Sequence, residues 1–207
     1  MTINRPDQFA GFILAGGQSS RMGRDKVMLE INGVTMLDRA VGLVRSAALS
    51  AAIVGSPAEF ARSRDIRAIP DDWPGAGPLG GIATALRATQ APWNLVIACD
   101  MPYLTKQWLE FLLQRAGAAN VEAIVPMNTG GAEPLCAVYH QRAEPAIRQA
   151  LENGIRKITD ALARLQIDYV ERDTWKAFDS DGLLFKNMNR PADYQEAKAV
   201  LGRRAKK

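Results

Sequence analysis

Apolar and polar positions alternate in blocks along this chain. The runs from Phe9 to Leu14, Ala51 to Val54, Leu95 to Cys99 and Val121 to Val125 are short and β-prone, the pattern of strands buried on both faces. Between them Leu37, Ala40, Val41, Val44 and Ala47 recur at helical spacing, as do Ile82, Ala85 and Leu86, and then Trp108, Leu109, Leu112 and Leu113. Thr105 stands where it would cap the third of these helices, whose Trp108, Leu109 and Leu112 read as core. This βαβ order predicts an α/β fold, a mostly parallel sheet covered by helices on both faces, with ligands gathering at the carboxyl ends of the strands. Further on, the pattern predicts a strand over Pro134 to His140, helices over Glu144 to Glu152 and Lys157 to Leu165, a short strand at Ile167 to Val170 and a last helix starting at Pro191. With no internal repeat, low-complexity tract or linker, the 207 residues predict one domain with its core over about 9–201 and a basic tail at 202–207.

Hydrophobic residues at 47% and charged ones at 23% exclude disordered and fibrous classes, and no apolar run is long enough to span a membrane. No basic-then-apolar leader precedes the first strand, so a cytoplasmic protein is expected. The net charge is +4, but Arg203, Arg204, Lys206 and Lys207 supply that excess, and the rest of the chain is balanced. A frayed basic end and no nucleic-acid binding are therefore expected. Cys99 and Cys136 lie far apart in apolar stretches, as reduced packing residues do, and His140 has no partner at ligand or triad spacing.

The chemistry begins at Leu14-Ala-Gly-Gly-Gln-Ser-Ser-Arg-Met-Gly-Arg-Asp-Lys26. A strand that breaks into a glycine-rich basic loop offers backbone N–H groups to phosphates, with Arg21, Arg24 and Lys26 adding positive charge. The spacing fits neither a Walker loop nor a dinucleotide fingerprint. A second stretch, Asn94-Leu-Val-Ile-Ala-Cys-Asp100-Met-Pro102, sets a carboxylate straight after a buried strand, where a nucleotide-bound Mg²⁺ takes one or two protein carboxylates. A third, Asp71-Asp-Trp-Pro-Gly-Ala-Gly-Pro-Leu-Gly-Gly81, runs into a helix predicted to begin near Ile82. Its glycines permit close backbone approach, and an acidic residue beside them can accept hydrogen bonds from ribose or a base.

The first stretch matches, residue by residue, the Leu-Ala-Gly-Gly-x-x-x-Arg-Met-Gly-x-Asp-Lys signature of nucleotidyltransferases, and the chain resembles the molybdopterin nucleotidyltransferase family, in particular its guanylyltransferases. The resemblance covers Phe9 to about Leu201 and implies a three-layer Rossmann-like nucleotidyltransferase fold. It implies GTP held by Leu14, Ala15, Gly16, Gly17, Lys26, Asp71, Gly80 and Asp100, Mg²⁺ on Asp100, and Arg21, Lys26 and Asp100 as the catalytic set. Asp72 is a one-residue alternative to Asp71. Glu133-Pro-Leu135 and Asn187-Met-Asn189-Arg-Pro191 resemble segments on the acceptor side, where Arg190 replaces the family's usual Thr. Asn187 and Asn189 either orient a pterin or phosphate or cap the last helix. Arg156 either meets an acceptor phosphate or begins a solvated helix. Gly55-Ser56 stands where relatives often offer an Asn to the nucleotide.

The activity so implied is transfer of GMP from GTP to the terminal phosphate of molybdenum-molybdopterin, with release of pyrophosphate and delivery of the product toward molybdoenzyme-specific chaperones. The rivals are a cytidylyltransferase using CTP, whose relatives carry Leu-Ala-Ala-Gly, a sugar-phosphate nucleotidyltransferase, and a non-catalytic carrier of nucleotide or cofactor. A methyl group at Gly16 is expected to point toward the base and to penalise guanine more than cytosine.

Overall fold

Strand β1 (Phe9–Leu14) has nearly every residue buried, which requires neighbours on both edges and both faces. The computed structural model describes residues 8–16, 26–48, 50–55, 61–62 and 64–205. In it β1 lies between β4 (Ser50–Val54) and β6 (Trp93–Ala98), parallel to both, with Ile13 opposite Ile53 and Ile97. β5 (Arg67–Ile69) continues the parallel order beyond β4. On the other side β9 (Cys136–His140) runs antiparallel between β6 and β7 (Ala123–Asn128), and β10 (Ile167–Val170) lies parallel to β7 at the edge. The order is therefore β10-β7-β9-β6-β1-β4-β5, with β8 (Gly131–Ala132) folding back on the end of β7. A separate hairpin, β2 (Glu30–Ile31) and β3 (Val34–Thr35), turns at Asn32 and Gly33, both with positive φ.

Helices cover both faces. On one, α1 (Met36–Ala47), α3 (Lys106–Ala118) and α7 (Pro191–Arg204) pack over Ile13, Ile53, Leu95 and Ile97. On the other, α2 (Pro78–Arg87), α4 (Glu144–Glu152) and α5 (Ile158–Leu162) pack over Phe12, Val54 and Val96. A short α6 (Arg172–Trp175) places Trp175 so that its indole N–H donates to Met127 O at 2.6 Å. The predicted cap is present: Thr105 Oγ1 accepts from Trp108 N at 3.3 Å. Among the described residues no helix is long and apolar enough to cross a membrane.

Several boundaries differ from expectation. α2 begins at Pro78, a full turn before Ile82, because proline presets the first helical φ and Gly77, at φ +68, turns the chain into it. The helix over Lys157 to Leu165 shrinks to Ile158–Leu162. Gly202, Arg203 and Arg204 are not frayed: they lie in α7 or its last turn, where Arg204 pairs with Asp181 at 2.6 Å and lies over the Tyr103 ring. The predicted tail residues Lys206 and Lys207 fall outside the described residues. His140 ends β9 with its ring against Trp93 and its Nδ1 accepting from Arg142 N.

Close packing of α1 on β1 depends on Gly11. A methyl group there would overlap Val44 Cγ1 and stand 3.2 Å from Ser50 O. Gly11→Ala is therefore expected to cost about 1–3 kcal/mol by overpacking, read as a lower midpoint in guanidinium unfolding. Adding Val44→Ala should recover part of that loss, since it removes the overlapped methyl; strictly additive losses would refute the contact as the cause.

Candidate active site

The parallel strands deliver their carboxyl ends to one edge, and backbone bonds stitch the exits together there. Cys99 N donates to Leu14 O at 3.1 Å, Ala15 N to Val54 O at 3.0 Å, and Gly55 N to Ile69 O at 3.0 Å. The edge opens into a cleft of about 700 Å³ lined by Leu14, Ala15, Gly16, Lys26, Asp71 and Asp100, together with Gly55, Gly77, Pro78, Cys99 and Leu135. Six residues expected at a nucleotide thus meet in one cavity. Gly17 and Arg21, expected beside them, lie outside the described residues.

Gly16 and Gly55 stand back to back where β1 and β4 end. A Cβ on Gly16 would sit 3.2 Å from Gly55 O and 3.3 Å from Gly55 Cα, and one on Gly55, at φ +76, would sit 3.1 Å from Gly16 Cα. The expectation that a Gly16 methyl points toward the base is corrected by this geometry. It would point at a neighbouring backbone, so Gly16 keeps two chain exits close.

Asp100 follows β6 directly, and burial holds its carboxyl above the usual carboxylate range, with the nearby Lys26 charge acting the other way. Lys26 Nζ lies 3.9 Å from Asp100 Oδ2 and donates to Asn189 Oδ1 at 2.9 Å. Met188 N donates to Asp100 O at 2.9 Å. The Asn187–Asn189 segment is thereby pinned against the acidic edge from the far end of the chain. Neither asparagine caps α7 with its side chain: Asp193 Oδ2 reaches back to accept from Asn189 N at 2.9 Å and Arg190 N at 2.8 Å. Asn187 Oδ1 is buried and accepts no hydrogen bond among the described residues.

Asp71 and Asp72 separate cleanly. Asp71 Oδ1 accepts from Trp73 N at 2.9 Å and from the hydroxyl of the fully buried Thr84 at 3.2 Å, which orients the carboxylate on the cleft wall. Asp72 pairs with Arg87 at 2.7 Å. Thr84 was not singled out from sequence, although a hydroxyl on the apolar stripe of α2 is the signal that could have found it. Gly80 does not line the cleft: it packs against Trp73, whose Cβ would lie 2.9 Å from an added methyl, and its neighbour Gly81 lines the cavity instead. Arg156 is likewise absent from the cleft lining, its guanidinium donating to Leu151 O at 2.9 Å and Ile155 O at 3.1 Å at the end of α4.

Glu133, in the segment between β8 and β9, is partly buried, and its carboxyl is pushed up to about 7 by desolvation. Its Oε1 accepts from the Asn128 side-chain amide, and no cation among the described residues pairs with it.

The fold and cleft are those of an α/β nucleotide-binding domain. The family model of the MobA-like NTP transferase domain matches residues 11–166, and the chain belongs to this family of nucleotidyltransferases. It is 31% identical over 193 residues to a protein of Pelotomaculum thermopropionicum named probable molybdenum cofactor guanylyltransferase, covering 93% of each chain. A protein of the same name from Chloroflexus aggregans is 33% identical over 198 residues, covering 93% of this chain and 95% of that one. Among solved structures, molybdopterin-guanine dinucleotide biosynthesis protein A from Archaeoglobus fulgidus superposes with a TM-score of 0.83 at 28% identity, over 94% of this chain and 99% of that one.

The burial of Glu133 sets a pH dependence. Its carboxyl holds the proton more tightly in the folded chain than in the unfolded one, so the folded state gives up stability as pH rises from about 4.5 through about 7. Glu133→Gln removes that penalty and is expected to stabilise the protein at pH 8 by about 1–2 kcal/mol, while bringing no gain at pH 4. Chemical unfolding at the two pH values checks this; an equal effect at both would show that the group ionises at its ordinary pKa.

Proposed function

We propose that this chain is a cytoplasmic enzyme that transfers GMP from GTP to the terminal phosphate of molybdenum-molybdopterin, forming the guanine dinucleotide cofactor and releasing pyrophosphate. The names of its relatives support this reading, and the observation that carries it is the meeting of Lys26 and Asp100 in a glycine-lined cleft, with Lys26 bonded to Asn189. An oxygen of the acceptor phosphate forms a bond to the α-phosphorus of GTP. The bond from that phosphorus to the bridging oxygen breaks, and pyrophosphate leaves with the electron pair. The nucleophile arrives already charged, so neither a covalent enzyme intermediate nor a general base is required, and the residues act by alignment and charge neutralisation.

Each residue then has a role. Lys26, held by Asn189, meets phosphate oxygens, as does Arg21. Leu14, Ala15, Gly16 and Gly17 supply backbone to the nucleotide, and Asp71, steadied by Thr84, accepts from its ribose or base. Asn187, whose buried oxygen meets no donor among the described residues, stands on the acceptor side with Asn189. The donor set suits Mg²⁺, which in nucleotide sites takes one or two protein carboxylates and completes its shell with phosphates and water; Asp100 is that carboxylate. Mg²⁺ held there would neutralise charge developing on the phosphates.

Asp100→Asn is expected to lower pyrophosphate release by about a hundredfold or more. Because burial disfavours the ionised carboxylate, the neutral variant should be at least as resistant to thermal unfolding as the parent. Near-parental turnover by the folded variant at moderate Mg²⁺ would remove Asp100 from the mechanism.

Base choice is expected to favour GTP over CTP by about tenfold or more in kcat/KM, a difference of about 1.4 kcal/mol. Gly16→Ala should slow transfer from both nucleotides alike, since the new methyl strains the Gly55 backbone rather than touching a base. Faster transfer from CTP by the parent protein would replace guanylyl with cytidylyl transfer, and a GTP-selective loss in the variant would return Gly16 to the base pocket.

A further inference from the structure

The sheet divides its ligand-binding edge at β6. On one side β1 and β4 end in Leu14–Gly16 and Gly55 beside Asp71, the wall assigned above to the nucleotide. On the other side β9 is antiparallel to β6, so the start of β9, not its end, comes to this edge. The last bond between them runs from Ala98 N to Leu135 O at 2.8 Å. Beyond that rung Asp100 lies two residues onward on one strand and Glu133 two residues back on the other, at the same end of the sheet.

Glu133 is built into place. Its N–H donates to Pro126 O at 2.8 Å, and its carbonyl accepts from Cys136 N at 3.1 Å, which fixes the backbone on both sides of the side chain. The Gly130 N–H is taken by Asn128 Oδ1 at 2.5 Å, leaving the Asn128 amide N–H to hold Glu133 Oε1. The strand end carrying Asn128 is braced in turn by the Trp175 indole on Met127 O. Oε2 has no partner among the described residues. Asp72 sits against Arg87 and Asp168 against Arg115, whereas Glu133 meets no cation among the described residues. A desolvated carboxylate with one oxygen clamped and the other without a partner among the described residues is a prepared acceptor for a ligand that brings N–H donors.

We propose that Glu133 recognises the 2-aminopyrimidin-4-one edge of the pterin acceptor, its carboxylate accepting from the ring N–H and the exocyclic amine. The inference rests on the molybdopterin reading above. Guanine carries the same edge, but the division of the sheet sets Glu133 on the side away from Gly16, Gly55 and Asp71, and so assigns it to the pterin.

The test compares the full-length parent with Glu133→Gln and Glu133→Asp in the pyrophosphate-release assay. For Glu133→Gln the KM for molybdopterin should rise by about tenfold, with kcat and the KM for GTP within about twofold of the parent. Glu133→Asp, which keeps the charge, should fall between. An unchanged acceptor KM overturns the proposal, a rise confined to the KM for GTP assigns the carboxylate to guanine and also overturns it, and a joint loss of kcat and thermal stability shows a structural role. Quenching of 6-hydroxymethylpterin fluorescence tests the same contact without turnover. The parent should bind this pterin more tightly than the matching lumazine, which lacks the amine, by about tenfold, and Glu133→Gln should lose the preference. Equal affinity for the two rings, or no quenching by the parent, counts against the proposal. Absence of pyrophosphate release by the parent would instead refute the guanylyltransferase reading itself.

Discussion

The site depends on keeping a carboxylate at the end of a fully buried strand. Every residue of β6 is buried, so the chain leaves the core at Asp100 with little water to solvate the charge, and the carboxyl is held above its ordinary range. The molecule offsets this with a cation that is not in full contact. At 3.9 Å from Asp100 Oδ2, Lys26 lowers the cost of ionisation, while its 2.9 Å bond to Asn189 keeps it from collapsing onto the carboxylate. Among the described residues Lys26 is the cation paired with Asp100, and a carboxylate so placed suits a divalent cation brought in with phosphates. Asn189 is itself held through its backbone by Asp193, so the first turn of α7 stabilises the geometry of a lysine near the other end of the chain.

Close backbone approach is the second constraint, and glycine meets it at two places. Gly11 lets α1 sit down on β1, and the Gly16–Gly55 pair lets the exits of β1 and β4 run side by side. They set the width of the edge from which the cleft is made, which explains how a glycine in a nucleotide-binding signature can serve the chain's own packing.

Much of the sheet was legible because strands buried on both faces read as plain apolar runs; β1, β4, β6 and β7 announce themselves in this way. β5 did not, since Arg67-Ala-Ile69 is three residues long with an exposed arginine, and it is a strand only because β4 offers it an edge. The β2–β3 hairpin carried a usable signal, the Asn32-Gly33 turn, that apolar periodicity alone passes over. Within the site, the residues that follow strands directly were readable from local pattern. What could not be read was the contact between Lys26 and Asn189, 163 residues apart, or the choice between Asp71 and Asp72, which turns on whether Thr84 or Arg87 faces the carboxylate. Arg156 shows the converse: a cation beside a glycine looks available for phosphate, yet three-dimensional structure gives it two carbonyls to bind.

The reversal of β9 has a consequence for any reaction that joins two substrates. In a wholly parallel sheet each strand reaches the ligand edge by its carboxyl end, and the segment before the strand is left at the opposite edge. Because β9 runs the other way, the turn over 133–135 arrives where β6 departs, and Leu135 lines the same cleft as Asp100. β7, parallel to β10 and antiparallel to β9, then brings Asn128 and the β8 turn to this edge as well. One inverted strand thus gathers a second set of polar groups beside the nucleotide wall without a second domain, with Asp100 at the seam between them.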